Sequence, residues 1–125
     1  MRDRRLGVER IADERERQVS KEGWGPSHDD EHDDESLAFA AVCYAAPVRV
    51  YVKEGYTSYP DGMKVVTFRE AWPQSWDSDW FKVKKGKNGR RVKQSRKDRV
   101  RQLEKAGALI AAEIDRLLRL GPARR

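Results

Sequence analysis

Two groups of residues in this chain have types and spacings that could do chemistry. The first is the doubled tetrad HDDEHDDE, residues 28–35, which places six carboxylates and two imidazoles within eight positions. Carboxylate oxygens suit Mg²⁺ or Mn²⁺, and imidazoles extend the choice to iron, zinc or nickel. If the segment turns once, His28, Asp29, His32 and Asp33 converge, so these four residues are the candidate metal ligands.

The same tetrads also allow a purely structural role. A continuous helix would set three carboxylate pairs at i,i+4, each costing about 0.2–0.5 kcal/mol. We therefore expect no full helix through residues 28–35; instead Asp33, Asp34 and Glu35 enter the first turn of the next helix, where carboxylates meet free amides. A third possibility is that these acids neutralise the basic segment 82–101 of a neighbouring chain. No cofactor is therefore expected, with a divalent metal, Mg²⁺ or Mn²⁺, as the alternative.

The second group combines aromatic and basic side chains. In WPQSWDSDWFKVKK, residues 72–85, three tryptophans recur at four-residue steps and lysines follow directly. An aromatic face beside a lysine can stack a base and hold a phosphate; alternatively, Trp72 and Trp80 cover the last helix. Arginines at the start of that helix add ordered phosphate candidates. The expected ligand-binding residues are Trp24, Tyr51, Trp76, Trp80, Lys82, Lys84, Arg99 and Arg101.

Charge is distributed unevenly along the chain. Residues 82–101 carry eleven Lys/Arg and one Asp, a net charge of +10, whereas residues 1–46 carry seven Lys/Arg and twelve Asp/Glu, a net of −5. A basic run of this kind binds nucleic acid by releasing counterions, or it is simply solvated surface. No groove-reading motif accompanies it. Nucleic acid is therefore one predicted partner, through residues 82–101.

Length and composition limit the possible architectures. A chain of 125 residues is expected to form one domain, residues 1–125, and its single cysteine, Cys43, fits a reducing cytoplasm. No apolar run approaches the roughly 18 residues of a membrane span. We therefore expect a soluble protein of the host-cell cytoplasm without membrane contact. Residues 83–95 are expected to form a mobile basic loop and residues 121–125 a disordered tail.

The elements that must position the two groups follow from periodicity. Steps of three and four predict helices over about 4–22 and 96–120, and the stretch SLAFAAVCYAA, apolar almost all round, predicts a buried helix over about 34–46. Alternation around the turn YPDG predicts an antiparallel hairpin over about 48–70, with a short third strand at 80–85. The fold class is therefore α+β, three main helices packed with a small sheet.

Each outer helix carries an apolar stripe that we expect to be buried against the other helices. In the first helix the stripe is Val8, Ile11, Ala12, Arg15 and Val19. In the last helix it is Val100, Leu103, Gly107, Ile110, Ile114, Leu117 and Gly121.

Three stretches resemble a family of short phage and prophage proteins. They are ERERQVSKEGWGPSHDDEHDDESLAFAAVCYA (14–45), WPQSWDSDWFK (72–82) and RQLEKAGALIAAEIDRLLR (101–119), about two-thirds of the chain. The ER-x-RQ and Trp-Gly opening is also loosely similar to phage all-α NTP pyrophosphohydrolases (MazG-type). Those enzymes hold Mg²⁺ through E-x-x-E and E-x-x-D pairs. Here Glu104 is followed by Gly107 and Glu113 by Arg116, so that scaffold is missing or relocated to 28–35.

Three functional hypotheses remain open. The first is a phage-encoded binding protein that acts against host defence by sequestering a nucleotide or nucleotide-derived signal, on a small-residue helix suited to homo-oligomers. The second is a metal-dependent nucleotide pyrophosphohydrolase. The third is a module that binds nucleic acid or blocks a host defence protein.

Overall fold

The computed structural model describes residues 5–77 and 94–121. Its elements are α1 (Gly7–Lys21), α2 (Pro26–Asp30), α3 (Ser36–Ala45), β1 (Tyr51–Ser58), β2 (Lys64–Glu70) and α4 (Arg96–Arg119). Three longer helices and one two-stranded antiparallel sheet confirm the predicted α+β class. The predicted strand at 80–85, and most of the predicted loop and tail, lie outside the described residues. Within the described ranges, no helix is long and apolar enough to cross a membrane.

Helix α1 buries its polar side, and the predicted apolar stripe is wrong for most of its length. Glu14 and Gln18 are buried, whereas Val8 is 73% exposed and Val19 is also exposed. The polar side is selected because it meets the arginine and lysine side chains of α4. Ile11 does reach α4, where Gly107 makes room: a Cβ on that glycine would lie 2.5 Å from Ile11 Cδ1. At the end of α1, Gly23 has φ +74°, the left-handed conformation expected of a C-terminal cap.

The packing of α4 also differs from the prediction. The stripe residues Leu103, Ile110, Ile114 and Leu117 remain exposed. The buried side of α4 consists instead of small residues with a few polar ones: Gln102, Ala106, Ala108, Leu109, Ala112, Glu113 and Arg116. Alanines let two helices approach closely, and α3 presents Ala40 and Ala41 to the same core. Helix α4 is therefore apolar on two sides, and its alanine side faces α3.

The doubled tetrad is divided between α2 and a turn, as expected from the repulsion between its carboxylates. Pro26 begins α2, and Glu35, with φ +67°, separates it from α3. The predicted entry of Asp33, Asp34 and Glu35 into the first turn of α3 is wrong, because the helix begins at Ser36. Asp34 acts from outside the helix, where its Oδ1 accepts a 3.2 Å hydrogen bond from the Ser36 amide.

The β-hairpin extends away from the helices. Residues Val50 and Val52 pack against the core, but most of β1 and β2 is exposed on both faces. The register pairs Tyr51 with Glu70 and Ser58 with Lys64, and a bulge lies between Lys53 and Gly55. Such a ribbon is only marginally stable alone in water, so its attachment at Val50 and Val52 matters for its order.

Candidate ligand-binding site

The structure brings together part of the predicted aromatic and basic surface. Trp24 and Trp76 approach with ring centroids 6.4 Å apart, but Trp76 is buried. Tyr51 lies on the hairpin, where Arg49 sits 5.5 Å from its ring centroid. Three predicted residues, Trp80, Lys82 and Lys84, lie outside the described residues.

The two predicted phosphate-binding arginines of α4 have structural partners. Arg99 donates to the Tyr44 carbonyl at 3.0 Å and also to the Ala45 carbonyl, which caps the C-terminus of α3. Arg101 forms ion pairs with Glu14 at 2.7 Å and with Glu104 at 3.2 Å. Both guanidiniums therefore tie α4 to its neighbours, which accounts for their charge without a ligand.

The two histidines of the tetrad belong to a chain of hydrogen bonds. Trp76 Nε1 donates to His32 Nδ1 at 3.2 Å, and the Nε2 atoms of His32 and His28 are 3.4 Å apart. His28 Nδ1 lies 3.1 Å from Asp29 Oδ1, and Arg15 pairs with the other carboxylate oxygen. An indole nitrogen only donates, so one order of protons satisfies every link: His32 carries its proton on Nε2 and His28 on Nδ1.

This proton order does not fit the predicted metal site. A neutral imidazole binds a metal through a nitrogen without a proton, and the lone pair of His32 faces the Trp76 donor. Asp29, which is buried, is neutralised by Arg15. No group of three His, Cys, Asp or Glu side chains in the described ranges could hold a metal ion. Burial, followed by the nearby His28, lowers the pKa of His32, which favours the neutral form of His32.

The chain of hydrogen bonds supports Trp24. The His28 ring stacks on the Trp24 ring with centroids 5.6 Å apart and planes 8° from parallel. Arg15 donates to the Trp24 carbonyl at 3.0 Å, and the Trp24 amide donates to the Gln18 carbonyl at 2.9 Å. The first half of the tetrad therefore fixes the position of one indole ring.

Trp24 in turn forms one wall of a pocket between α1, α3 and α4. We call it the interhelical pocket; its volume is about 210 Å³ and it is open to solvent on one side. It is smaller than the roughly 300–1,000 Å³ typical of sites that enclose drug-sized ligands. It therefore accommodates one planar ring system, with the rest of a larger ligand at its mouth. The lining residues are Glu14, Arg17, Gln18, Glu22, Trp24, Tyr44, Lys105 and Leu109.

One of the residues that line this pocket, Gln18, has a buried hydrogen-bond acceptor. Gln18 is 1% exposed; its Nε2 donates to Glu14 Oε2 at 3.3 Å, whereas its Oε1 has no hydrogen-bond partner. The carboxylate of Glu14 fixes the orientation of the amide, because a flipped amide would set oxygen against oxygen. Burial raises the pKa of Glu14, but hydrogen bonds from Arg17 and Arg101 outweigh burial and the pKa is lowered. An unpaired buried acceptor costs about 1–3 kcal/mol, which a ligand donor would offset.

A lysine provides the cationic side of the pocket. Lys105 Nζ lies 5.6 Å from the centroid of the Tyr44 ring, and no carboxylate of the described residues forms an ion pair with it. Burial, then repulsion from Arg101, lowers the pKa of this lysine. Arg17, in contrast, is held by Glu14 and Glu22 at 2.8 Å each. Lys105 is therefore the lining cation with capacity for an anionic ligand.

Most of these pocket residues were absent from the sequence prediction. Glu14 and Lys105 were not candidates, because charged residues on a helix are usually solvated, and the uncharged Gln18 and Tyr44 were not candidates either. The available signal was the ER-x-RQ stretch, in which Glu14 and Gln18 are four residues apart and therefore share a helix face. These two polar residues lie three and seven positions after Ile11 and so share its side of the helix, which could have indicated a buried polar site.

Comparison with known proteins assigns neither family nor fold: no family model, no curated protein and no solved structure matches this chain.

Proposed function

We propose that the protein binds a nucleotide or nucleotide-derived molecule in the interhelical pocket and holds it without converting it. The observation that carries this proposal is the unpaired Oε1 of Gln18, buried in a pocket that Trp24 and Tyr44 line beside Lys105. A buried acceptor requires an N–H donor, aromatic walls favour a flat ring, and an unpaired ammonium favours an anion. A nucleobase with an amino group and an attached phosphate combines the three.

Capture is favoured over hydrolysis by the state of the carboxylates. Phosphoryl-transfer enzymes hold metal ions with carboxylates, whereas Glu14, Asp29 and Glu113 are each paired with an arginine. Each of these acids is already paired with an arginine inside the helical layer, and no three His, Cys, Asp or Glu side chains of the described residues come together as a metal site. The pyrophosphohydrolase hypothesis consequently has no supporting geometry in the described ranges.

The resemblance to phage and prophage proteins supplies a biological setting for this proposal. In an infected cell, a small protein that holds a signalling nucleotide would remove it from the host defence that responds to it. The setting rests on the resemblance, and the ligand class rests on the pocket.

Titration calorimetry with AMP, adenosine and inorganic phosphate tests the ligand class. We expect AMP to bind more tightly than adenosine, and phosphate to bind weakest. Lys105→Met should weaken AMP binding by about tenfold or more and leave adenosine nearly unchanged, because a hydrogen bond to a charged group contributes about 1.5–3 kcal/mol. Gln18→Met should weaken both nucleoside ligands. Lys97→Met, on the exposed first turn of α4, is the matched control.

Chromatography of the ligand after incubation with Mn²⁺ tests capture against conversion. Intact AMP, ATP and NAD recovered from the protein agree with the proposal. If wild type yields hydrolysed products and a Gln18 or Lys105 variant does not, the pocket is a catalytic site and the proposal of capture is wrong. If AMP, adenosine and inorganic phosphate each bind Lys105→Met as tightly as they bind wild type, the interhelical pocket is not the binding site.

A further inference from the structure

The two faces of the β-hairpin have different chemistry. Side chains of paired residues in an antiparallel ribbon point to the same face, and the register places three aromatic rings on one face. We call this the aromatic hairpin face; it comprises Tyr51, Lys53, Tyr56, Ser58, Lys64, Val66, Phe68 and Glu70, of which Glu70 is paired with Arg49. The opposite face carries Val52, Thr57, Val65, Thr67 and Arg69, without an aromatic ring.

The three rings are open to solvent. Tyr51 is 46% exposed, Tyr56 57% and Phe68 62%. Large aromatic side chains bury more surface than most others when they find a partner, and a two-stranded ribbon does not need them exposed for its own hydrogen bonds. Because the hairpin extends away from the helices, these three rings do not belong to the hydrophobic core, and their position on one face indicates a binding surface.

Cations accompany these rings. Lys64 Nζ and Lys53 Nζ lie 5.1 and 5.8 Å from the centroid of the Tyr56 ring, so Tyr56 is bracketed by two ammonium groups. Arg49 lies 5.5 Å from the centroid of Tyr51 and pairs with Glu70 at 2.8 Å. No ion pair involves Lys53 or Lys64 within the part of the chain that the structure describes. The face therefore presents stacking surfaces next to two uncompensated positive charges.

We propose that the aromatic hairpin face binds single-stranded nucleic acid, with bases stacked on Tyr56, Phe68 and Tyr51 and phosphates near Lys53 and Lys64. Proteins that bind single strands without sequence preference combine aromatic platforms with a positive track for the backbone. A protein partner would explain the rings but not the bracketing lysines. The polyanion is also complementary to a chain of net charge +6. This surface is separate from the interhelical pocket and independent of its ligand.

Fluorescence anisotropy with a fluorescein-labelled oligo(dT) strand and an oligo(U) strand tests this proposal on the full chain. Tyr56→Ala should weaken binding about tenfold, because one base–aromatic stack contributes about 1–3 kcal/mol and 1.4 kcal/mol is a factor of ten. Tyr56→Phe keeps the ring and should bind as wild type. Val65→Ala, on the opposite face of the same ribbon, is the matched control and should also leave binding unchanged.

Salt dependence tests the lysines separately. The double variant Lys53→Gln/Lys64→Gln should reduce the slope of log K against log salt by about 1.4, since each phosphate contact on a single strand contributes about 0.7. Circular dichroism checks that each variant keeps its strands. Loss of binding in Tyr56→Phe, equal binding by Tyr56→Ala and Val65→Ala, or no strand binding at all would overturn the proposal. The last result would favour a protein partner for this face.

Discussion

Within residues 5–77 and 94–121, a lysine lies over a tyrosine ring at two places, and their surroundings are opposite. In the interhelical pocket, Lys105 lies 5.6 Å from the ring of the buried Tyr44. On the hairpin, Lys53 and Lys64 lie at similar distances from the exposed ring of Tyr56. The contact geometry is alike, but one ring is fixed within a helical layer and the other stands on an arm.

The difference indicates what each place can bind. A buried pair sits beside a fixed acceptor, Gln18 Oε1, and therefore selects a ligand by shape and hydrogen bonding. The exposed lysines and tyrosine of the hairpin do not enclose a ligand. They therefore suit a long, repetitive ligand that is held by many weak contacts. The pocket is consequently tied to the stability of the fold, whereas the hairpin face is nearly independent of it.

The largest expected contrast is in stability. Leu109 is buried and lines the pocket, so Leu109→Ala should lower the free energy of unfolding of the protein by about 2–5 kcal/mol. Phe68→Ala removes a larger side chain from the hairpin, yet should change the free energy of unfolding by no more than about 0.5 kcal/mol. Urea unfolding followed by circular dichroism measures both. Similar losses in the two variants would show that the hairpin is part of the core.

The next-largest expected effect is a loss of stability at low pH, which arises at His32 and not on the hairpin. The pKa of His32 is lowered from its ordinary value of 6.5 by burial, so the unfolded chain takes up the proton first as the pH falls. Stability is therefore fully present above about pH 6.5 and decreases below it. Protonation also removes the acceptor for Trp76 Nε1. Melting temperature against pH should fall less steeply in His32→Gln, while an unchanged profile in that variant would assign the acid sensitivity to other groups.

A rise in pH should change the stability by a smaller amount, and the lowered pKa of Lys105 gives the direction of that change. The pKa of Lys105 is lowered from 10.5, so between its folded value and 10.5 the unfolded chain binds more protons and stability rises with pH. AMP affinity should change in the other direction, because the neutral amine attracts phosphate less. Lys105→Met should remove both trends. Parallel calorimetry and melting curves on the two proteins provide the comparison, for which Lys97→Met serves as a control.

The sequence was sufficient for the three longer helices and the hairpin, but not for the short helix α2 or for which sides of the helices are buried. Three helices, the hairpin and the interrupted tetrad follow from periodicity, turn residues and carboxylate repulsion. The predictions of which sides of α1 and α4 are buried were wrong, because the apolar stripes were assumed to face the core. The alanines of α3 and α4 pack more closely than branched side chains would, and the polar side of α1 is drawn inward by Arg101 and Lys105.

The candidate site was predictable only in part, for a physical reason. Trp24 was a sequence candidate because its type is informative by itself and it does line the interhelical pocket, whereas the other tryptophan candidate, Trp76, is buried and is not among the lining residues. Gln18 and Lys105 become informative only when tertiary packing buries them and leaves one acceptor and one cation without a protein partner. The role of His28 and His32 likewise depended on the donor that faces His32, Trp76 Nε1, which lies 44 residues away in sequence.

A crystal structure of the protein grown with AMP tests the central claim most directly. The proposal predicts the adenine ring between Trp24 and Tyr44, with its amino group donating to Gln18 Oε1 and its phosphate near Lys105 Nζ. An AMP molecule bound elsewhere, with the Gln18 side chain turned to a protein donor and the pocket closed, would contradict it.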